Sequence, residues 1–408
     1  MLKNKQGAKN EMNECFKSIL AYNCIELSLK MPQNKRLKIG EGKISGYISI
    51  FLAIICFGTT ICAYFPDYLT TTDFRELYKP NYIKWAFLIV LALSFGFALT
   101  SFILSKKTKL GFIAILTIAV AIFLTSGIPS YQEINSKSFT IGMDWLLLDI
   151  LVSAFIFIPM ELFLPKRLEQ TKFHEEWRTD LVYFIISHLL IQVTGVLIQL
   201  PATIVFSNIG LTDFQEWVQG IWFIPQLFLA LLVSDLFQWT GHYVFHKIPY
   251  LWRFHSVHHS TKDIDWLAGS RTHFVDLIAV RAVSFLPLYV FGFSSSVFTT
   301  YIVIVSIQAV LAHANTRINF GFLRYVFVTP QYHHWHHSDD PKAYDKNFAI
   351  HFPFIDMMFG TYYPMGKTWP ESTGLGDVKF PKGFIRQFVF PFKKNPSEDN
   401  SVENPSKR

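Results

Sequence analysis

The sequence predicts an all-α fold: a polytopic transmembrane helical bundle, with a helical cap on the cytoplasmic face that holds a histidine-rich dimetal site. Three observations carry this expectation. Hydrophobic residues fill 51% of the 408 positions and charged residues only 16%, whereas soluble domains carry about 25% charge. Apolar runs of roughly 20 residues, the length a bilayer core requires, recur along the chain. Eleven of the 14 histidines fall between residues 242 and 337.

Residues 1–45 are polar and Lys-rich with no early apolar h-region, so they read as a cytoplasmic lead and not as a signal peptide. Gly46–Phe65, Ile83–Leu104 and Leu110–Gly127 are the first three apolar runs. They contain no ionisable cluster and define an accessory transmembrane module over residues 46–130. Asp144–Leu164, Leu181–Phe206 and Ile221–Trp239 follow, and a very short turn then separates Asp276–Phe291 from Ser295–Ala312, which reads as a hairpin. A catalytic domain is expected over residues 144–365, with its histidine clusters within 235–363. The tail, residues 393–408, is polar and Pro-punctuated and reads as disordered. No internal repeat, Gly-rich phosphate loop or heptad array is visible.

Charge placement sets the expected topology. Lys35, Arg36, Lys38 and Lys43 precede the first run; Lys106, Lys107 and Lys109 separate the second and third; Lys166, Arg167, Lys172 and Arg178 separate the fourth and fifth. The intervening loops hold few cations, and the positive-inside rule puts the basic ones in the cytoplasm. The sixth run then exits on the cytoplasmic side just before His242, and the hairpin returns the chain to that side. The net charge of +7 follows from this asymmetry, with no nucleic acid required. Cys15, Cys24, Cys56 and Cys62 form no CxxC pair and read as free thiols.

The histidines form three boxes: His242 and His246 in GHYVFH, His255, His258 and His259 in HSVHH, and His333, His336 and His337 in HHWHH. Residues four apart share one helical face, so each box presents adjacent imidazoles. Neutral imidazole suits iron, zinc and copper. Eight exceed what one tetrahedral zinc uses, which points to two ions. Metal-bound imidazoles usually donate their other N–H to a carboxylate or carbonyl. Asp235, seven residues before His242 on the same helical face, is the first such partner expected, and Asp339 and Asp340 after the third box are others. His334 faces away from its box neighbours, His351 is a supporting candidate, and His174 and His188 read as ordinary helix residues.

Box order and spacing, with LWRFHSVHHS, VTPQYHHWHHS, Lys346–Asn347 and FGTYY at Phe359–Tyr363, resemble the fatty acid hydroxylase/sterol desaturase superfamily of membrane non-haem di-iron enzymes. The resemblance covers roughly Asp235 to Tyr363. It implies that the eight box histidines are metal ligands, that His313 in AHAN is a ninth, and that His273 in SRTHF is a structural or supporting residue. It further implies two iron ions and the hydroxylation or desaturation of a lipid C–H bond with O2, the lipid being a sterol, a fatty acyl chain or a relative. Zinc is able to displace iron during purification. No fused cytochrome b5 motif or iron–sulfur cysteine set is seen, so a separate electron donor is expected: cytochrome b5, ferredoxin or a reductase. The membrane is then the bacterial inner membrane or the endoplasmic reticulum.

Two rivals come from other classes. A histidine-rich metal transporter would place its ligands near the bilayer midplane within repeats, and neither feature is visible. A membrane zinc hydrolase needs a general base such as the Glu of HExxH; the first box is His-Tyr-Val-Phe-His.

Overall fold

A computed structural model describes residues 40–71, 80–105, 109–126, 140–171, 173–206 and 211–393. The lead through residue 39 with Cys15 and Cys24, the basic residues Lys106, Lys107 and Lys172, and the tail beyond Lys393 lie outside the described residues. No strand occurs among the described residues. The chain divides into two compact units, Met1–Ala154 with Leu162–Gln170 and Phe155–Glu161 with Thr171–Arg408.

In the first unit, helix α1 (Lys43–Tyr64) packs on α2 (Pro80–Leu104) and α3 (Lys109–Thr125). Small residues make the close approach possible. Ser49 and Ser94 exchange hydroxyl-to-carbonyl hydrogen bonds of 2.7 and 2.8 Å, and a Cβ on Gly46 would lie 2.8 Å from Leu110 and Ser101. Ala53, Ala98, Ala114 and Ala121 are fully buried. Apolar helices associate in this way, through backbone proximity and interhelical hydrogen bonds. Helix α4 (Met143–Phe163) begins in this unit: Asp144 accepts the N–H and hydroxyl of Thr71, each at 3.0 Å.

The second unit contains α5 (Trp177–Phe206), α6 (Thr212–Gln219), α7 (Phe223–Lys247), α8 (Pro249–His259), α9 (Phe274–Val290) and α10 (Ser295–His313). Three short helices follow: α11 (Pro330–His336), α12 (Pro353–Phe359) and α13 (Phe384–Val389). Helix α9 packs against α5 and α7, and α10 against α7. The expected hairpin is α9–α10, and its turn needs Gly292 (φ 75°), where a Cβ would come within 2.6 Å of Gln215. Phe285, Leu288, Phe293, Val297 and Tyr301 form the apolar core between these helices. Proline at the first position starts α8, α11 and α12; the missing N–H costs nothing there and φ is already helical. The end of α4 belongs to this unit because Phe157 packs on Val310 and Ala314, and Glu161 accepts the N–H groups of Trp266 and Asn315.

All eight expected spans coincide with helices. Among the described residues, five of them (α1, α2, α4, α7 and α10) are long and apolar enough to cross a membrane. Helices α3 and α9 have 17 residues each, roughly 25 Å of rise, short of a hydrocarbon core of about 30 Å.

Candidate metal centre

The first box ends α7, the second fills the last half of α8, and the third occupies α11 and its C-cap, His337. His313 ends α10. The nine imidazoles therefore gather beyond the C-terminal ends of α7 and α10. They fall into two sets, His242, His246, His255, His259 and His336 in one, and His258, His313, His333 and His337 in the other. Within each set, one nitrogen per ring lies within 4.8 Å of all the others. Every ring is buried. These are the nine positions carried over from the resemblance, and the fold brings all of them together.

Backbone and carboxylate groups hold most rings by Nδ1. His242 meets the Phe348 carbonyl at 2.9 Å, His258 that of Arg271 at 3.0 Å, His313 that of Ala309 at 2.7 Å and His336 that of Lys346 at 2.8 Å. His255 meets Asp276 at 2.8 Å and His246 meets Asp345 at 3.3 Å. An Nδ1–H donated to oxygen leaves Nε2 as the bare, metal-binding nitrogen. The Nε2 atoms do converge: 3.0 Å separates His242 from His255, 3.3 Å His258 from His313, and 3.0 Å His313 from His333.

Burial drives the imidazoles of His258, His259, His333 and His337 well below the ordinary histidine range, and that of His336 to about 3. They are neutral, as metal ligands must be. Nε2 of His259 and His336, and Nδ1 of His333 and His337, are buried without a hydrogen-bond partner. A buried polar atom left unpaired costs about 1–3 kcal/mol. The unpaired Nε2 atoms of His259 and His336, among neutral donors of borderline softness gathered in two sets, fit bound transition-metal ions.

The backbone is shaped to supply these carbonyls. Asp345 and Asn347 adopt left-handed conformations, φ 54° and 61°, which Asp and Asn tolerate better than other side chains. Between and after them, Lys346 and Phe348 aim their carbonyls at His336 and His242. Gly269 lets the chain pass close to the cluster: a Cβ there would lie 3.0 Å from His313 Nδ1.

Some expected residues serve elsewhere. Asp235 accepts the N–H groups of Ile350, His351 and Phe352 at 2.7–3.1 Å and meets no box imidazole; seven residues place it about 10 Å down the helix from His242. Asp339 accepts the Ser372 hydroxyl, and Asp340 caps the turn at Lys342, so neither orients a ligand. His273 caps α9 through Nδ1 and bonds the Phe388 carbonyl through Nε2, a structural role with both nitrogens used. His334 turns away to the His313 carbonyl. His351 meets Asp235 through its backbone alone and leaves Nε2 buried and unpaired.

His174 is not a helix residue. It precedes α5, 3.2 Å from Asp180 and 3.4 Å from Asp265. Burial alone would lower its pKa, but the two carboxylates lift it to about 10. Arg271 pairs with Asp180 and Glu176 in the same network, which fixes the carbonyl that receives His258. His188 is helical, bonding the Phe184 carbonyl.

A cavity of about 210 Å³ adjoins the imidazoles. His242, His255, His258, His313 and His333 line it, with Leu277, Val280, Phe285, Ile302 and Val305 from α9 and α10 and, among polar residues, Arg281 and Tyr301. The arrangement places a metal-binding cluster beside a largely apolar chamber.

Residues 227–361 match the fatty acid hydroxylase family. The chain is similar to an ornithine lipid hydroxylase of Rhizobium tropici, 31% identical over 170 residues that make up 41% of this chain and 51% of that protein. It is also similar to an alkylglycerol monooxygenase of Xenopus tropicalis, 28% identical over 36% of this chain and 33% of that one. A very-long-chain aldehyde decarbonylase of Oryza sativa subsp. indica is 24% identical over 35% and 24%. The chain thus spans about half the length, or less, of the curated relatives it matches. No solved structure matches it.

Proposed function

We propose, from the match of residues 227–361 to the fatty acid hydroxylase family, that the chain is a membrane-bound oxygenase that hydroxylates a lipid C–H bond with O2 and externally supplied electrons at two iron ions. The observation that carries the reading is the convergence of nine buried imidazoles into two sets, five of the rings lining a largely apolar cavity. Iron, when bound, supplies the activation of O2 and the oxidising power to break an unactivated C–H bond.

The chain's own residues do the rest. The carbonyls of Phe348, Arg271, Ala309 and Lys346, with Asp276 and Asp345, hold six rings in one tautomer. Leu277, Val280, Phe285, Ile302 and Val305 receive an alkyl chain and exclude water from it. One oxygen atom enters the substrate as hydroxyl; the other leaves as water, with two electrons and two protons delivered from outside. A separate reductase, ferredoxin or cytochrome b5 fills that need. The imidazoles lie beyond one end of α7 and α10, and the basic loops assign that end to the cytoplasm. Hydroxylation is favoured over desaturation because the relatives named above include a hydroxylase and a monooxygenase.

Comparative lipid mass spectrometry of cells with and without the gene tests the reaction. One lipid class gaining an oxygen atom is the expected result; loss of two hydrogens would make the enzyme a desaturase. Protein purified anaerobically is expected to hold about two irons per chain. Tight zinc with reductant-independent hydrolysis would overturn the reading.

A further inference from the structure

Arg281 stands in the apolar helix α9 and lines the cavity next to the imidazoles. An ionisable side chain among apolar helices is costly and marks function unless it is paired. Among the described residues no carboxylate pairs with Arg281, and its guanidinium donates to the Ser187 carbonyl at 3.0 Å and, at 3.3 Å, to the Thr194 hydroxyl. A guanidinium carries five N–H donors, so most of its capacity is unspent among the described residues. By contrast, the buried Arg271 in the same unit meets two carboxylates.

A second observation points to the same ligand. The Tyr301 hydroxyl, on α10, is fully buried, lines the same cavity and has no hydrogen-bond partner. Nearby Ser234 donates to the Ser284 carbonyl, and Ser284 donates to Val280 and Gln238. Ser284 is three residues from Arg281, on the same face of α9, and so brings the phenol and the guanidinium into one neighbourhood. The guanidinium keeps N–H groups with no acceptor among the described residues, and the Tyr301 hydroxyl, close to Ser234 and Ser284, lines the same cavity. The complement of such donors is an oxyanion.

We propose that this cavity selects an acidic amphiphile, whose carboxylate or phosphate docks on Arg281 with the Tyr301 hydroxyl while its alkyl chain lies against Leu277, Val280 and Ile302. The proposal rests on the oxygenase reading and names its substrate class. Arg281 is five residues beyond Asp276, the partner of His255, or roughly 7.5 Å of helix rise. The oxidised carbon is therefore close to the acidic group, within the first several carbons of the chain, and not at a remote chain end.

The test is equilibrium binding to the full-length, metal-loaded protein in detergent, anaerobically and without reductant, so that no turnover occurs. Oleate and 1-oleoyl lysophosphatidate are compared with their neutral counterparts, methyl oleate and 1-oleoylglycerol. Wild type is expected to prefer at least one acid over its neutral counterpart by about 10-fold or more, the scale of a charge-assisted hydrogen bond; the preferred acid identifies carboxylate or phosphate as the source. In Arg281→Met the preference falls to within about 2-fold while metal content is unchanged, and Arg281→Lys, which keeps the charge but not the fork, falls between. No preference in wild type, which needs no variant to measure, overturns the proposal. So does an Arg281→Met protein that weakens acid and neutral ligands alike, the mark of a purely structural tie. A charge preference lost in Arg281→Met, with no oxygen ever inserted into lipid, would leave this site standing and remove the oxygenase reading instead.

Discussion

The five imidazoles around His246 and the four around His313 are fastened into the fold by different chemistry. In the five-membered set, His255 and His246 are held by the carboxylates of Asp276 and Asp345, and His242 and His336 by carbonyls. In the four-membered set, carbonyls alone hold His258 and His313, and Nδ1 of His333 and His337 has no partner. A carboxylate behind an imidazole raises its basicity and offsets the charge of the ion in front. The two sites therefore differ in both donor number and nearby negative charge. On the proposed reading, the five-membered set would hold an ion more tightly, and the four-membered set would have no donor to spare.

The sharpest way to break this contrast is to delete one ring from each set. His333→Ala leaves three donors and is expected to reduce bound metal from about two ions to about one per chain, with oxygen insertion lost by more than ~100-fold. His259→Ala leaves four and is expected to retain both ions with roughly 10- to 100-fold weaker affinity for one. Metal stoichiometry after dialysis separates the two outcomes, and equal losses would erase the contrast. Next comes the carboxylate: Asp276→Asn should weaken metal retention about 10-fold or more. Asp345→Asn should do less, because Asp345 is 3.3 Å from His246 and shared with Lys247; competition with a chelator measures both.

Smaller effects lie behind the four-membered set. His174 is charged in the folded protein, with a pKa of about 10 against 6.5 when free, so its stabilising ion pairs are complete below about pH 6.5 and lost as pH climbs through 10. Wild type should lose Tm between pH 7 and about pH 10.5, while His174→Gln starts lower and changes less. Smallest of all for the metal is Tyr332→Phe, which removes a hydrogen bond to Asp356. It should cost about 1–3 kcal/mol of stability in denaturant titration and leave metal content intact.

The helices and the nine imidazoles were legible because both are written in local pattern: apolar runs for the spans, and spacings of three and four for the boxes. His313 stands alone in its run, and only the resemblance pointed to it. The partners were not legible. Asp276 is 21 residues from His255 and Asp345 is 99 from His246, separations that only tertiary structure closes. Asp235 looked like an imidazole partner from its helical face, yet facing says nothing of height, and two turns put it beside the backbone of residues 350–352. His174 was misassigned for the same reason. Its partner Asp180 is six residues away, but Asp265 is 91 away, a separation closed only by tertiary structure.

Asp356 accepts from Trp239, Tyr332, Thr361 and the N–H groups of Phe348 and Ala349. One carboxylate thereby locks the segment that latches His336, His242 and His246 to the helices that carry them. Removing that single acceptor would loosen three latches at once, because the carbonyls of Lys346 and Phe348 and the carboxylate of Asp345 all belong to the stretch it ties down.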